Sequence, residues 1–272
     1  MFEVAIDPVL VTLGPLEIRY YGLVYALGFL AAYLFFKWAA KRQLIRFSTD
    51  EIDIFIIYAI VGGILGGRAG EFLFYQWDVL LSKPLELFRI WQGGMSIHGG
   101  FLGFLLATWL FCKKHNKRIY DITDLAVIPT AAALIFGRIA NFINAELVGR
   151  VTSTSWCVKF IDAPNPTDRI GCRHPSQLYE ALKNIIIFTV LTIKFHMKRF
   201  RERKPGELTW LFVLLYGFLR TVATIWRDDQ QWFLGILSTG QVLSTIMALI
   251  AIVVLWKYYW CNNKTDKQER SV

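Results

Sequence analysis

A chain of 272 residues that is 55% hydrophobic, with a mean hydropathy of +0.41, is too apolar for a soluble domain of its length. Its net charge of +9 comes without any basic stretch interleaved with base-stacking aromatics, so the charge gives no argument for nucleic acid as a partner. No Cys/His spacing suggests a metal site, and nothing in the chain calls for a cofactor.

Residues 1–16 contain Glu3 and Asp7 and lack the positive n-region of a cleavable signal, so they read as a short outer segment. Apolar windows long enough to span a bilayer follow near 20–38, 52–76, 95–112, 121–143, 177–195, 208–226 and 238–257. The expected fold is therefore an all-α integral membrane protein, a bundle of about seven transmembrane helices. It is read as a single membrane domain over 1–272, with 77–93 and 145–175 as outer cap segments too short for cores of their own.

Orientation follows from the basic residues. Lys37, Lys41, Arg42 and Arg46 follow the first span, Lys113, Lys114, Lys117 and Arg118 the third, and Lys198, Arg199, Arg201, Arg203 and Lys204 the fifth. Lys257, Lys264, Lys267 and Arg270 lie in the tail. These are alternate connections, which places the N-terminus outside and the C-terminus in the cytoplasm. The same charge favours anionic membrane lipids. Cys157 and Cys172 bracket the longest outer loop, where an oxidising compartment permits a disulfide. Whether the two pair is open at this level.

The most unusual stretch is GRIANFINAELVGR at 137–150, which sets Arg138, Asn141, Asn144, Glu146 and Arg150 where an apolar span runs out. Ionisable groups at membrane depth are costly and mark function. On the topology above, other polar residues fall at the same outer level: Tyr20, Tyr21, Arg68, Glu71, His98, Gln177, Glu180, Arg220, Arg227 and Gln241. Their gathering in one leaflet argues for a site that holds an anion at the outer edge of the bilayer. Gly62, Gly63, Gly66, Gly67 and Gly70 read as a close-packing face. Gly93, Gly94, Gly99 and Gly100 flank His98 and read as a flexible headgroup entry.

GRIANFINAELVGR closely resembles the signature of the bacterial prolipoprotein diacylglyceryl transferase family. Six further stretches resemble that family in the same order: IRYYGLVYALGF at 18–29, GGRAGEFLFY at 66–75, WQGGMSIHGGFLG at 91–103, RHPSQLYEA at 173–181, LYGFLR at 215–220 and TGQVLS at 239–244. The resemblance implies a multi-pass enzyme of the bacterial inner membrane whose active site faces the periplasmic leaflet. It implies transfer of the diacylglyceryl group of phosphatidylglycerol to the lipobox cysteine in the signal peptide of a prolipoprotein, an alkyl-type transfer that forms a thioether and releases glycerol 1-phosphate. Tyr21, His98, Arg138, Asn141, Asn144, Glu146, Gly149 and Arg220 match residues regarded as important in the family. Thr224 stands where the family usually has a glutamate, and Glu71 is a candidate to supply that charge.

The chemistry needs a thiolate and a stabilised phosphate leaving group. His98 is suited to take the thiol proton, since its ordinary pKa near ~6.5 lies below the ~8.5 of a cysteine. Arg138 and Arg220 present planar forks matched to phosphate oxygens, and Glu146 is expected to orient one of them. Tyr21, Asn141, Asn144 and Gly149 are expected to bind substrate, with Arg68, Gln177 and Arg227 as further candidates. Each has a plainer alternative. Arg138 and Glu146 form a structural pair, His98 caps or packs a helix, Arg227 anchors at the interface, Gln177 and Glu180 brace a helix entry, and Lys183 snorkels outward. A transporter with an intramembrane anion site is the main rival, but it calls for polar groups near the midplane and repeat symmetry.

Overall fold

A computed structural model describes residues 2–6, 9–13, 16–89, 94–197, 204–228, 232–233 and 237–257. Gly93, the basic run 198–203 and the tail beyond 257 lie outside the described residues. Backbone packing divides the chain into two compact units, 33–123 and 1–32 together with 124–272.

Among the described residues, seven helices have at least 16 residues: α1 (Tyr20–Lys41), α2 (Thr49–Phe74), α4 (Ile97–Lys114), α5 (Ile119–Ile143), α6 (Ser176–Met197), α7 (Glu207–Ala223) and α8 (Thr239–Val254). The helix α3 (Trp77–Ser82) is a short turn between α2 and α4. Five of the long helices, α1, α2, α5, α7 and α8, are long and apolar enough to cross a membrane. The other two are less apolar: α4 carries His98 and two glycines in its first turn and ends on Lys113 and Lys114, and α6 contains Glu180, Lys183, Asn184 and Lys194. Leu, Ile and Phe side chains stay exposed along these helices, as expected where the surrounding medium is lipid.

The unit 33–123 is built on α2 against α4. Ser48 caps α2 with a full capping box to Glu51, and Ser96 accepts from the Gly99 N–H at the start of α4. A Cβ on Gly66 would stand 2.6 Å from Gly103 Cα, and one on Gly70 2.6 Å from Gly99 Cα. The glycines of α2 are thus packing residues. So is Gly99 beside His98, which corrects its reading as a headgroup entry: its missing side chain is what lets the two backbones touch. At the other end Phe111 is fully buried, in ring contact with Phe47, Phe55 and Tyr58.

The second unit begins with short strands that hydropathy did not signal. The strand β1 (Phe2–Val4) pairs in parallel with β4 (Val158–Phe160), and β2 (Val9–Leu13) pairs with β3 (Leu16–Arg19) as a hairpin. A third pair joins β5 (Trp232–Phe233) to β6 (Leu237–Ser238). The all-α expectation therefore holds for the long elements and omits three two-stranded ribbons. Cys157 and Cys172 form a disulfide that ties the segment around β4 to the approach to α6.

Helix α7 has no side-chain cap of its own, since Gly206 precedes it with φ at 87°. Asp124 of α5 supplies the cap, accepting the Gly206 N–H at 2.7 Å, the Thr209 N–H at 2.8 Å and the Thr209 hydroxyl at 2.6 Å. This fixes the start of α7 against α5. Helix α8 approaches α7 where a Cβ on Gly217 would lie 2.6 Å from Ser244 O.

Candidate functional site

The end of α5 turns sharply after Ile143. Ala145 and Leu147 both adopt left-handed backbone, with φ of 52° and 56°, which is costly for residues with a Cβ. The turn doubles back on the helix: the Glu146 N–H donates to Asn141 O at 2.9 Å. That return puts the Glu146 carboxylate beside the side chains it follows. Asn141 Nδ2 donates to Glu146 Oε2 at 3.1 Å and Asn144 Nδ2 to Oε1 at 3.4 Å. Arg138 reaches Asn141 Oδ1 at 3.4 Å. The candidates Arg138, Asn141, Asn144 and Glu146 therefore form one hydrogen-bonded chain.

Helix α6 closes over this turn. Gln177 Nε2 donates to Glu146 O at 2.7 Å, Ser176 Oγ to Leu147 O at 2.8 Å, and Asn184 Nδ2 to Leu134 O at 3.1 Å. The buried stripe of α6 includes Gln177, Glu180, Lys183, Asn184, Ile187 and Leu191, a helical periodicity with its polar residues in the N-terminal half.

Glu180 is the hub. Its side chain is 2% exposed and meets three cations. Arg220 of α7 pairs with Oε1, Lys183 holds Oε2 at 2.8 Å, and Arg138 Nε stands 3.9 Å from Oε2. Lys183 does not snorkel outward. It is buried with its ammonium 4.0 Å from the Tyr216 ring centroid, because the i,i+3 carboxylate and the aromatic face hold it inward. Arg227 follows the single turn that ends α7, where its carbonyl accepts from Arg150. Three cations on one carboxylate leave the cluster positive, a condition that favours an anion.

Two kinds of unused hydrogen-bonding capacity accompany that charge. Among the described residues, Arg138 makes only the one long bond to Asn141, with most of its fork unengaged. Asn144 Oδ1 and Gln177 Oε1 are buried acceptors without a hydrogen-bond partner. An anion beside hydroxyl donors complements both.

Gly149 follows on a tightly enclosed backbone. Its N–H donates to His174 O at 3.1 Å and its carbonyl accepts from Arg173 Nη1 at 3.0 Å. A Cβ there would run into His174 O and lie 2.7 Å from Trp226 O, so only glycine fits. Arg173 also binds Asp228 at 2.8 Å and Thr167 O at 2.7 Å, and Arg150 donates to Arg227 O at 3.0 Å. These arginines knit 149–150 to 167–173 and 227–228. His174 contacts the Tyr179 hydroxyl at 3.1 Å, and burial holds its imidazole below the usual pKa of 6.5.

Thr224 does not replace the expected glutamate. It is buried and its hydroxyl donates to Arg220 O at 2.8 Å. The carboxylate on Arg220 comes from Glu180 instead, while Glu71, in the other unit, accepts from Gln76 at 3.1 Å.

The remaining candidates are placed as follows. His98 is exposed in the first turn of α4. Arg68 is buried, lies over the Phe72 ring, and donates to Leu87 O at 3.2 Å, Gly94 O at 3.1 Å and Glu86 O at 2.7 Å. It therefore holds Glu86, Leu87 and Gly94 by their backbones and borders a cavity of about 330 Å³ with Gln76, Val79 and Lys83. Tyr21 sits in the first turn of α1, and its side chain lies outside the described residues. No group of three or more metal-binding side chains occurs among the described residues.

The sequence matches the family described as prolipoprotein diacylglyceryl transferase over residues 8–257. A Legionella pneumophila (strain Lens) protein called phosphatidylglycerol–prolipoprotein diacylglyceryl transferase is 39% identical over 256 residues, covering 92% of this chain and 96% of that one. Proteins of the same name from Oleidesulfovibrio alaskensis and Nitrosospira multiformis are each 40% identical, over 92% and 93% of this chain and 92% and 87% of their own.

Proposed function

The chain belongs to the prolipoprotein diacylglyceryl transferase family and transfers the diacylglyceryl group of phosphatidylglycerol to prolipoproteins, and we propose that it does so at the Arg138–Glu180–Arg220 cluster. The observation that carries this assignment is the match between the cluster and the lipid headgroup. Phosphatidylglycerol offers one anionic phosphodiester and a glycerol with free hydroxyls. The cluster offers excess positive charge with an open Arg138 fork, beside two buried acceptors on Asn144 and Gln177.

In the proposed reaction the thiolate of the lipobox cysteine attacks the glyceryl carbon that bears the phosphate ester oxygen. A C–S bond forms, the C–O bond breaks, and glycerol 1-phosphate departs with one more negative charge than the diester carried. Arg138 and Arg220 stabilise that added charge, which is where fixed cations accelerate a reaction most. Glu146, held by Asn141 and Asn144, keeps the α5 turn in register with Arg138. Asn144 and Gln177 accept from the glycerol hydroxyls, Asn141 relays between Arg138 and Glu146, and Gly149 secures the backbone beneath them. On chemistry alone His98 is assigned the thiol proton. Tyr21 is assigned to substrate contact by family resemblance, and Arg227 to the positive field around the phosphate. Arg68, which holds the backbones of Glu86, Leu87 and Gly94, is kept as a further candidate for substrate contact through the cavity that it borders.

We further propose that all seven long helices span the cytoplasmic membrane, with the N-terminus outside and the site in the outer leaflet. The alternation of basic connections supports this, as does the Cys157–Cys172 disulfide, which suits an oxidising compartment.

The test supplies purified protein with phosphatidylglycerol and a lipobox peptide. The expected result is a peptide mass increase equal to diacylglycerol minus water, with glycerol 1-phosphate released in equal amount. An unmodified peptide would overturn the assignment.

A further inference from the structure

The reaction above gives Lys183 no task, although its side chain is only 4% exposed on a helix at membrane depth. A lone ammonium is costly there, so its presence needs a reason. Its partners are Glu180 Oε2 at 2.8 Å and the Tyr216 ring face at 4.0 Å. The contest for that one oxygen is informative. Arg220 occupies Oε1, while Oε2 is approached by both Lys183 and Arg138. Lys183 holds it at hydrogen-bond distance and Arg138 remains at 3.9 Å. Take Lys183 away and two guanidinium groups face two carboxylate oxygens. Arg138 would then close onto Oε2 in a charge-assisted bond, and its fork would no longer be open.

We infer that Lys183 is a positioning residue for the transfer reaction: it occupies Glu180 Oε2 and so keeps the Arg138 fork available for the lipid phosphate. The inference rests on the reading of Arg138 and Arg220 as the phosphate site. Its energetic content is a population shift. If Arg138 is captured by Glu180 in the free enzyme, the lipid must break that pair in order to bind, and apparent affinity falls by the fraction of enzyme still competent. Once bound, the lipid meets the same groups as before. The damage should therefore appear in KM more than in kcat.

The experiment uses the full chain, purified in detergent, as wild type, Lys183→Met, Lys183→Arg and the double variant Lys183→Met/Glu180→Gln. Folding is followed by thermal unfolding, KM and kcat are measured for phosphatidylglycerol at saturating lipobox peptide, and Ki is measured for glycerol 1-phosphate. Lys183→Met is expected to raise both KM and Ki roughly tenfold, equivalent to about 1.4 kcal/mol, with a much smaller change in kcat. Lys183→Arg, which also bonds Oε2, is expected to stay near wild type. The double variant is expected to recover KM, because the glutamine oxygen still accepts from Arg220 but no longer attracts Arg138 as a carboxylate does. Unchanged KM and Ki in folded Lys183→Met, whatever its melting point, would overturn the inference and leave a packing role. So would a double variant with a higher KM than Lys183→Met. Should Lys183→Met fail to fold, the same comparison is made on Lys183→Gln, where a rise in KM and Ki supports the inference and no change overturns it. Failure of the functional assignment would look different: wild type itself would not modify the peptide.

Discussion

Arg138 Nε stands 3.9 Å from Glu180 Oε2, close enough for attraction and too far for a hydrogen bond. The helices α5 and α6 are held together by Asn184 on Leu134 O and by Gln177 on Glu146 O, and within that frame Lys183 occupies Oε2 at 2.8 Å. The separation leaves a cation near its counter-charge yet not consumed by it, which is the condition a phosphate clamp requires.

If that clamp is bidentate, Arg138→Lys keeps the charge and removes the fork. The expected loss in kcat/KM is about a hundredfold, or about 2.7 kcal/mol, the range seen for one lost oxyanion donor. Steady-state transferase assays check this. Full activity in the lysine variant would show that only charge matters at this position.

Glu180→Ala removes the shared carboxylate and leaves Arg138, Lys183 and Arg220 facing one another. Breaking a buried ion pair from one side costs about 3–5 kcal/mol, so a large drop in melting temperature is expected. Added glycerol 1-phosphate should recover part of it by supplying the missing negative charge. Thermal unfolding with and without that ligand measures both effects.

Gly149→Ala forces a Cβ onto His174 O and Trp226 O, both backbone atoms that no rotamer change can move. The variant is expected to lose activity at least tenfold and to unfold at a lower temperature, because the 149–150 segment must separate from its partners. Normal stability together with normal activity would contradict the enclosed geometry.

The long elements were readable because a bilayer imposes long apolar runs, and the α5 site because Arg138, Asn141 and Asn144 recur every three residues at the end of one run. Glu180 was harder to assign. Its position in RHPSQLYEALKN gives no hint of which face α6 turns inward, so it read as a brace and Lys183 as a snorkelling residue. A usable signal existed: Gln177, Glu180, Lys183 or Asn184, Ile187 and Leu191 trace one helical stripe, whose apolar members mark the buried side. Arg68 was legible as unusual, but its partners were not. Its donors go to backbone carbonyls 18 to 26 residues away, and no local pattern signals a contact at that separation. The strand pairs were invisible because strands of two to five residues carry too little alternation to form a pattern.

The disulfide gives a redox prediction. It closes a loop with a sequence separation of 15, and a loop of that size is worth about 3 kcal/mol. Reductant, or Cys157→Ser with Cys172→Ser, should lower the melting temperature by several degrees. Identical melting curves with and without reductant would show that the bond adds nothing to stability.

His174 supplies a pH dependence. Burial depresses its pKa in the folded protein below the unfolded value of 6.5. Above that value both states are neutral and the group is silent. As pH falls through about 6.5 the unfolded chain takes up the proton first, so stability should decline. Melting temperatures across pH 5 to 8 for wild type and His174→Gln check this: the slope near pH 6 should flatten in the variant.

The central claim is that the lipid phosphate is held between Arg138 and Arg220. A structure of the protein with bound glycerol 1-phosphate or phosphatidylglycerol tests it most directly. The account predicts phosphate oxygens within hydrogen-bond distance of both guanidinium groups and glycerol hydroxyls on Asn144 and Gln177. A phosphate bound elsewhere, with Arg138 closed onto Glu180, would contradict it.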